Sequence, residues 1–274
     1  EFKIIDTGIE HGSVTVVLNS SKFEITTLRK DVKTDGRHAE VSFTDDWQQD
    51  SERRDFTINS IYMDIRGKVY DPQNGLNDLK NKQIKFIGEP TLRIEEDYLR
   101  IIRFIRFSIY YNHKKPDVET IESIKLNLSG IKKISKERIL SELYKISQLK
   151  KLNNLLENKD IKNIFLIIFP ELKYIDRIEN LYHLLQTDIV IQTPELIFSI
   201  LSIDEKNNSE YFAHKYKISN KLKKYLNFIS NNYLKFKDEK NYLKKDFKKN
   251  IYKLGKVNIK NLIAFIYCAD KIFS

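Results

Sequence analysis

The hydrophobic pattern of this chain changes period near residue 89, and that change constrains the fold more than any other feature. Upstream, apolar residues stand in short β-branched runs broken by turn signals. Downstream, they recur at helical spacing with few interruptions. A period of two places successive side chains on opposite faces of a strand, whereas a period near 3.6 lines one face of a helix. The pattern predicts an α+β molecule: a small strand-containing head over residues 1–88, a helical neck over 89–150, and a helical body or tail over 151–274.

Within the head, residues 13–18 and 22–29 are β-branched and flank Asn19-Ser20-Ser21, which predicts a hairpin. Residues 30–50 are polar and carry the turn signal Asp35-Gly36, which predicts a long loop. Its stretch Lys30–His38, including Asp35, Gly36, Arg37 and His38, is a candidate for a flexible loop that closes on substrate. Residues 55–65 predict a short helix running into a strand, and Asp71-Pro72 and Asn74-Gly75 mark turns. Beyond residue 89, Leu99, Ile102, Ile105 and Ile109 mark one face of a long helix, with Phe104 and Phe107 on adjoining faces. Apolar spacing predicts further short helices over 136–149, 151–157, 160–168 and 176–186, and Pro116, Pro170 and Pro194 fall at starts or breaks.

Apolar residues make up 41% of the 274, enough for a sizeable core, and no run approaches the roughly 18 apolar residues of a membrane helix. A membrane partner is not expected, and no stable protein partner is evident. The single cysteine, Cys268, excludes an internal disulfide and a cysteine-based zinc site. It fits a reducing compartment: the cytoplasm, or the mitochondrion if a transit segment precedes Glu1. Met63 is the only methionine, so the native start is expected upstream. Residues 201–260 hold 16 lysines against six acids, a surplus equal to the net charge of +10 of the whole chain. That stretch suits a polyanion such as RNA, and it equally suits a solvated helical surface.

Three sets of side chains carry candidate chemistry. Arg53-Arg54-Asp55 with Asn59 reads either as a capped helix start or as a nucleotide grip. In the second reading the arginines hold the triphosphate bidentately, and Asp55 or Asn59 binds ribose hydroxyls. Asp97, Arg100, Arg103 and Arg106 stand at three-residue steps on a predicted helix. They read either as surface pairs worth about 0.2–0.5 kcal/mol or as a base reader. Cytosine and adenine each present an amine donor beside a ring-nitrogen acceptor, so a carboxylate and a guanidinium fit that edge. Guanine and uracil reverse it, leaving buried groups unpaired. Glu24, mid-strand between Phe23 and Ile25, is either a solvated charge or an accessory carboxylate on the face opposite those two. His11 and His38 lack metal-ligand spacing.

In chain order, these segments resemble the class II tRNA nucleotidyltransferase family of CCA-adding enzymes and poly(A) polymerases. Thr7 to Val17 resembles the region after the family's first motif, and Glu24 to Arg29 with Thr34-Asp35-Gly36-Arg37-His38 the next strand and flexible loop. Arg53 to Asn59 resembles motif B, Asp71 to Leu79 motif C, Glu96 to Arg100 motif D, and Ser135 to Ile139 with Glu142 motif E. The Thr-Asp-Gly-Arg-His and Asp-Trp-Gln segments are similar to the alphaproteobacterial and mitochondrial branch. The resemblance implies a truncated polymerase-β-like mixed-sheet head followed by helices. It implies addition of CCA to the tRNA 3′ end from CTP and ATP, with two Mg²⁺ ions. Arg53, Arg54 and Asp55 would meet ribose and triphosphate, Asp97 and Arg100 the base, and Arg103 and Arg106 would support the site. Asp71, Asn74 and Gly75 would form a hinge, and the helical body would hold the tRNA acceptor arm. Asn74-Gly75 departs from the Gly-Gly of many members. Motif A, with its metal-binding aspartates, is expected upstream of Glu1. A poly(A) polymerase and an inactive RNA-binding remnant are the alternatives.

Overall fold

The computed structural model describes residues 2–9, 12–19, 21–35, 38–113, 115–187, 190–245 and 247–270, and for residues 7, 31–35 and 38–41 it describes the backbone only. The chain divides into two compact units, one of residues 1–100 with 116–127 and the other of residues 101–115 with 128–274. The dividing points at 100 and 115 therefore differ from the head, neck and body boundaries expected from the pattern.

The first unit opens with an antiparallel sheet in the order β1 (Phe2–Gly8), β2 (Ser13–Leu18), β3 (Ser21–Thr26). Asn19 takes φ +46° in the β2–β3 connection, a conformation asparagine tolerates. The predicted hairpin is present, and β1 adds a third strand. Phe23 and Ile25 lie on the face opposite Glu24, as the strand period requires. Both are half exposed, at 51% and 55%, and they share a face with Ile4, Val14 and Val16 by register. On the other face Thr15 is buried opposite Glu24.

The long loop expected over residues 30–50 is instead a hairpin of β4 (Arg29–Asp35) and β5 (His38–Phe43), followed by α1 (Trp47–Glu52). Charged residues alternate with few apolar ones here, so the period-two signal is faint. The backbone ladder forms regardless, from Arg29↔Phe43 to Asp35↔His38. Asp46 caps α1 by accepting from the Gln48 amide at 2.8 Å. A 3₁₀ turn at Thr57–Asn59 and the strand pair β6 (Tyr62–Met63) and β7 (Val69–Tyr70) follow, as the turn signals predict. Trp47 lies against both Tyr62 and Tyr70 and ties α1 to that pair. Every strand pairing among the described residues is antiparallel.

The remaining helices of this unit are α2 (Gly75–Lys80), α3 (Pro90–Glu96) and α5 (Val118–Asn127), with the first two residues of α4 (Leu99–Tyr111). α3 packs on α5, where Thr91 and Ser123 hydroxyls meet at 3.0 Å.

The second unit holds the rest of α4 and α6 (Lys136–Ser147), α7 (Asn154–Glu157), α8 (Lys159–Ile168), α9 (Arg177–Leu185), α10 (Pro194–Ser202), α11 (Asn208–Tyr216), α12 (Asn220–Asp238), α13 (Phe247–Leu254) and α14 (Lys256–Asp270). The predicted apolar face of α4 is confirmed: Leu99, Ile102, Ile105 and Ile109 are all buried. Phe104 is buried with them, and Phe165, Phe169, Phe198, Phe212 and Phe265 fill the centre of the helical core. Pro194 opens α10 behind the Thr193 cap, and Pro170 opens a 3₁₀ turn. Asn154 and Asn158 donate to the carbonyls of Ile109 and His113, which satisfies the end of α4 from within the unit. Among the described residues, no helix is long and apolar enough to cross a membrane.

Candidate functional site

The site in the first unit is organised around Asp50, a carboxylate with no solvent exposure. It lies on α1, and Arg53 and Arg54 follow three and four residues later, which brings both guanidiniums to one side of it. Arg53 donates to Oδ1 from Nε at 2.9 Å and from Nη2 at 2.5 Å. Arg54 donates to Oδ2 from Nε at 3.1 Å and from Nη2 at 2.8 Å. The Tyr62 hydroxyl donates to Oδ2 at 2.8 Å, and the Arg29 amide to Oδ1 at 3.1 Å. Burial pushes the Asp50 carboxyl up, but the bonds from the Arg29 amide, Arg54, Tyr62 and Arg53 outweigh it and hold the group at about 2. Burial together with Asp50 pushes Tyr62 up to about 12. Sequence reasoning missed Asp50 and Tyr62. The signal was the Asp-x-x-Arg-Arg spacing, hidden because α1 lay in a stretch predicted as loop.

Asp55 is buried and accepts from the Phe56 amide at 3.0 Å and from the Asn59 side-chain amide at 2.9 Å. The 3₁₀ turn begins after Phe56, so Asp55 is not its N-cap. The structure thus brings Asp55 and Asn59 into direct contact.

Asp97 does not share a helical ridge with Arg100. It lies between α3 and α4 in extended backbone, and its carboxylate accepts from the Leu99 amide at 3.1 Å, capping α4. Arg100 donates from Nη1 to Glu96 at 2.5 Å and to the Arg93 carbonyl at 2.6 Å. Arg93 donates to Glu96 and, from Nη2 at 2.6 Å, to the Arg54 carbonyl. Burial draws the Arg93 guanidinium below its ordinary range, with the Arg100 charge adding to it. Arg93 was another residue missed from the sequence. It ties the segment of Arg53 and Arg54 to the segment of Asp97 and Arg100.

Asp71 accepts from the Gly75 and Leu76 amides at 2.6 and 2.9 Å and so holds the start of α2. Asn74 adopts φ +56°, as its type allows. A Cβ on Gly75 would lie 2.1 Å from the Thr57 carbonyl oxygen. The Thr57 hydroxyl also donates to buried Asp78 on α2 at 2.8 Å. The segment expected to hinge is therefore tightly tied to the Thr57–Asn59 turn.

Arg103 and Arg106 belong to the second unit. Arg106 donates to Glu142 at 2.7 Å and lies 4.1 Å over the Phe107 ring. Lys145 donates to the same carboxylate at 2.7 Å, and Arg103 approaches it at 4.0 Å. Burial raises the Glu142 carboxyl, but Lys145 and Arg106 more than offset this and draw it down. Ser135 caps α6, on which Glu142 stands.

Glu24 is exposed on β3. Among the described residues, no three His, Cys, Asp or Glu side chains converge to hold a metal ion. Asp35 and His38 pair at the end of β4–β5; Gly36, Arg37, Glu10 and His11 lie outside the described residues.

Comparison with known proteins places this geometry in context. A family model described as the poly A polymerase head domain matches residues 1–85. A mitochondrial CCA tRNA nucleotidyltransferase 1 of Homo sapiens is 52% identical over 145 residues, which cover 52% of this chain and 33% of that protein. The Danio rerio protein of the same name is 50% identical over 145 residues, covering 52% and 34%. The matched part of the chain is similar to CCA-adding enzymes and to the poly A polymerase head domain. A CCA-adding enzyme of Streptococcus uberis is 42% identical over 146 residues, covering 53% of this chain and 36% of its own. The match thus spans about a third of the length of these curated relatives. The solved CCA-adding enzyme of Bacillus stearothermophilus in complex with CTP is 23% identical with a TM-score of 0.71, covering 98% of this chain and 65% of that one. That likeness shows a shared fold, head and helices together, along nearly the whole chain.

Proposed function

We propose that this chain is the nucleotide-selecting part of a tRNA nucleotidyltransferase that adds CCA to the tRNA 3′ end from CTP and ATP. The observation that carries the reading is the grip of Asp50 on Arg53 and Arg54, tied through Arg93 to Glu96 and Arg100. Two guanidiniums fixed side by side suit a triphosphate. Asp55 and Asn59, in mutual contact, take the ribose hydroxyls. Asp97 accepts from the exocyclic amine of C or A, while Arg100 donates to the ring nitrogen. Among the described residues, Arg100 uses only Nη1, on Glu96 and the Arg93 carbonyl, and Nε and Nη2 are assigned to that edge.

Arg103 and Arg106 are assigned to the second unit, where they set α4 against Glu142, and not to contact with the nucleotide. The lysine-rich stretch 201–260 meets tRNA through backbone charge, and the likeness to mitochondrial and bacterial enzymes supports that partner. Mg²⁺ belongs to the proposal through the family. The roles proposed for the residues of this site are binding and selection of the nucleotide. The compartment is the cytoplasm or, following the named relatives, the mitochondrion.

The test is nucleotide addition by the full-length protein to tRNA lacking its 3′ CCA. Addition of C, C and A is the expected result. Robust incorporation of GTP or UTP would overturn the base-reading role. A long A-tail would indicate a poly(A) polymerase, and tRNA binding without addition would indicate an inactive remnant.

A further inference from the structure

We propose that Asp50 is a positioning residue that presents Arg53 and Arg54 to the phosphates as a pair. This rests on the reading that those arginines hold a triphosphate. The argument is geometric. Each arginine turns the same edge, Nε with Nη2, to one carboxylate oxygen of Asp50. Each therefore turns Nη1 away from Asp50, and neither Nη1 has a hydrogen-bond partner among the described residues. One buried anion thus sets the rotamers of two long side chains whose free forms would sample many. Its charge offsets one of the two, so the pair keeps a net positive charge for an incoming anion.

Asp50 also holds the base of the β4–β5 hairpin. Its Oδ1 accepts from the Arg29 amide, and Arg53 Nε donates to the Arg29 carbonyl at 3.0 Å. Tyr62 closes the remaining side from β6. The carboxylate is the common anchor of a hairpin, a helix and a strand, and the arginine pair is held where these three meet.

The experiment compares binding of CTP and of cytidine by the full-length protein and its Asp50→Asn variant. It adds exchange rates of the Arg53 and Arg54 Nε–Hε protons measured by NMR. In the unmodified protein both protons are expected to be protected from exchange. Asp50→Asn is expected to release them and to weaken CTP about tenfold or more, with cytidine affinity changed less than about twofold. A general structural role would weaken both ligands alike, and that result overturns the proposal, as does unchanged CTP affinity. Should the variant fail to fold, the unmodified protein still decides: Hε exchange as fast as in exposed arginines overturns the proposal, and protection supports it. Arg54→Ala tests the underlying reading separately. If it leaves CTP affinity unchanged, the triphosphate role fails, whatever the Hε protons show.

Discussion

Asp50 and Glu142 are two buried carboxylates that each hold two close cations, one in each unit, and they are put to different ends. Asp50 binds arginines three and four residues along its own chain segment, so both point the same way. Glu142 binds Lys145 locally but takes Arg106 from 36 residues away. The first arrangement presents a pair of cations; the second joins α4 to α6. A buried carboxylate among arginines is thus not in itself a sign of a ligand site. What distinguishes the two is whether the cations come from one short segment or from two helices.

The largest expected effect separates the two clusters by stability. Glu142→Ala leaves Arg106 buried without its partner and is expected to destabilise the protein by about 3–5 kcal/mol. Urea denaturation reads that loss, while CTP affinity of the folded fraction stays unchanged. Arg54→Ala is expected to act on the ligand instead. It removes a charge-assisted contact worth about 1.5–3 kcal/mol of CTP binding, read by calorimetric titration on the folded fraction. Loss of CTP affinity in the Glu142 variant would dissolve the distinction.

Acid titration probes Asp50 itself. Its carboxyl is lowered in the folded protein from 3.8 to about 2. A depressed pKa contributes stability that is present above the unfolded value and is lost as pH falls through the folded value. About 2 kcal/mol is therefore expected to disappear between about pH 4 and about pH 2. Denaturation midpoints across that window check it, and the slope attributable to this site is expected to vanish in Asp50→Asn. The smallest effect is Tyr62→Phe, which removes one donor from Asp50 and is expected to cost about 1 kcal/mol on the same denaturation curves.

These clusters also show what is legible in a sequence. The α4 face, the helices α6 to α9 and the starts at Pro170 and Pro194 follow from local apolar spacing and proline placement, and the sequence pattern predicts them. The β4–β5 hairpin was not, because Lys30, Asp31, Lys33 and Asp35 leave almost no apolar alternation to detect. Missing that hairpin concealed α1, and with it the spacing that links Asp50 to Arg53 and Arg54. The Arg106–Glu142 contact joins distant segments, so no local pattern announces it. Asp97 failed differently: three-residue steps suggested one ridge, yet the chain extends at Asp97 and starts a new helix. Its carboxylate then works as a cap.

The most direct measurement is equilibrium binding of all four nucleoside triphosphates to the full-length protein and to Arg100→Ala. CTP and ATP are expected to bind at least about tenfold more tightly than GTP and UTP, with the difference abolished by Arg100→Ala. Equal affinity for all four, or selection unchanged in that variant, would contradict the reading of Asp97 and Arg100 as the base-selecting pair.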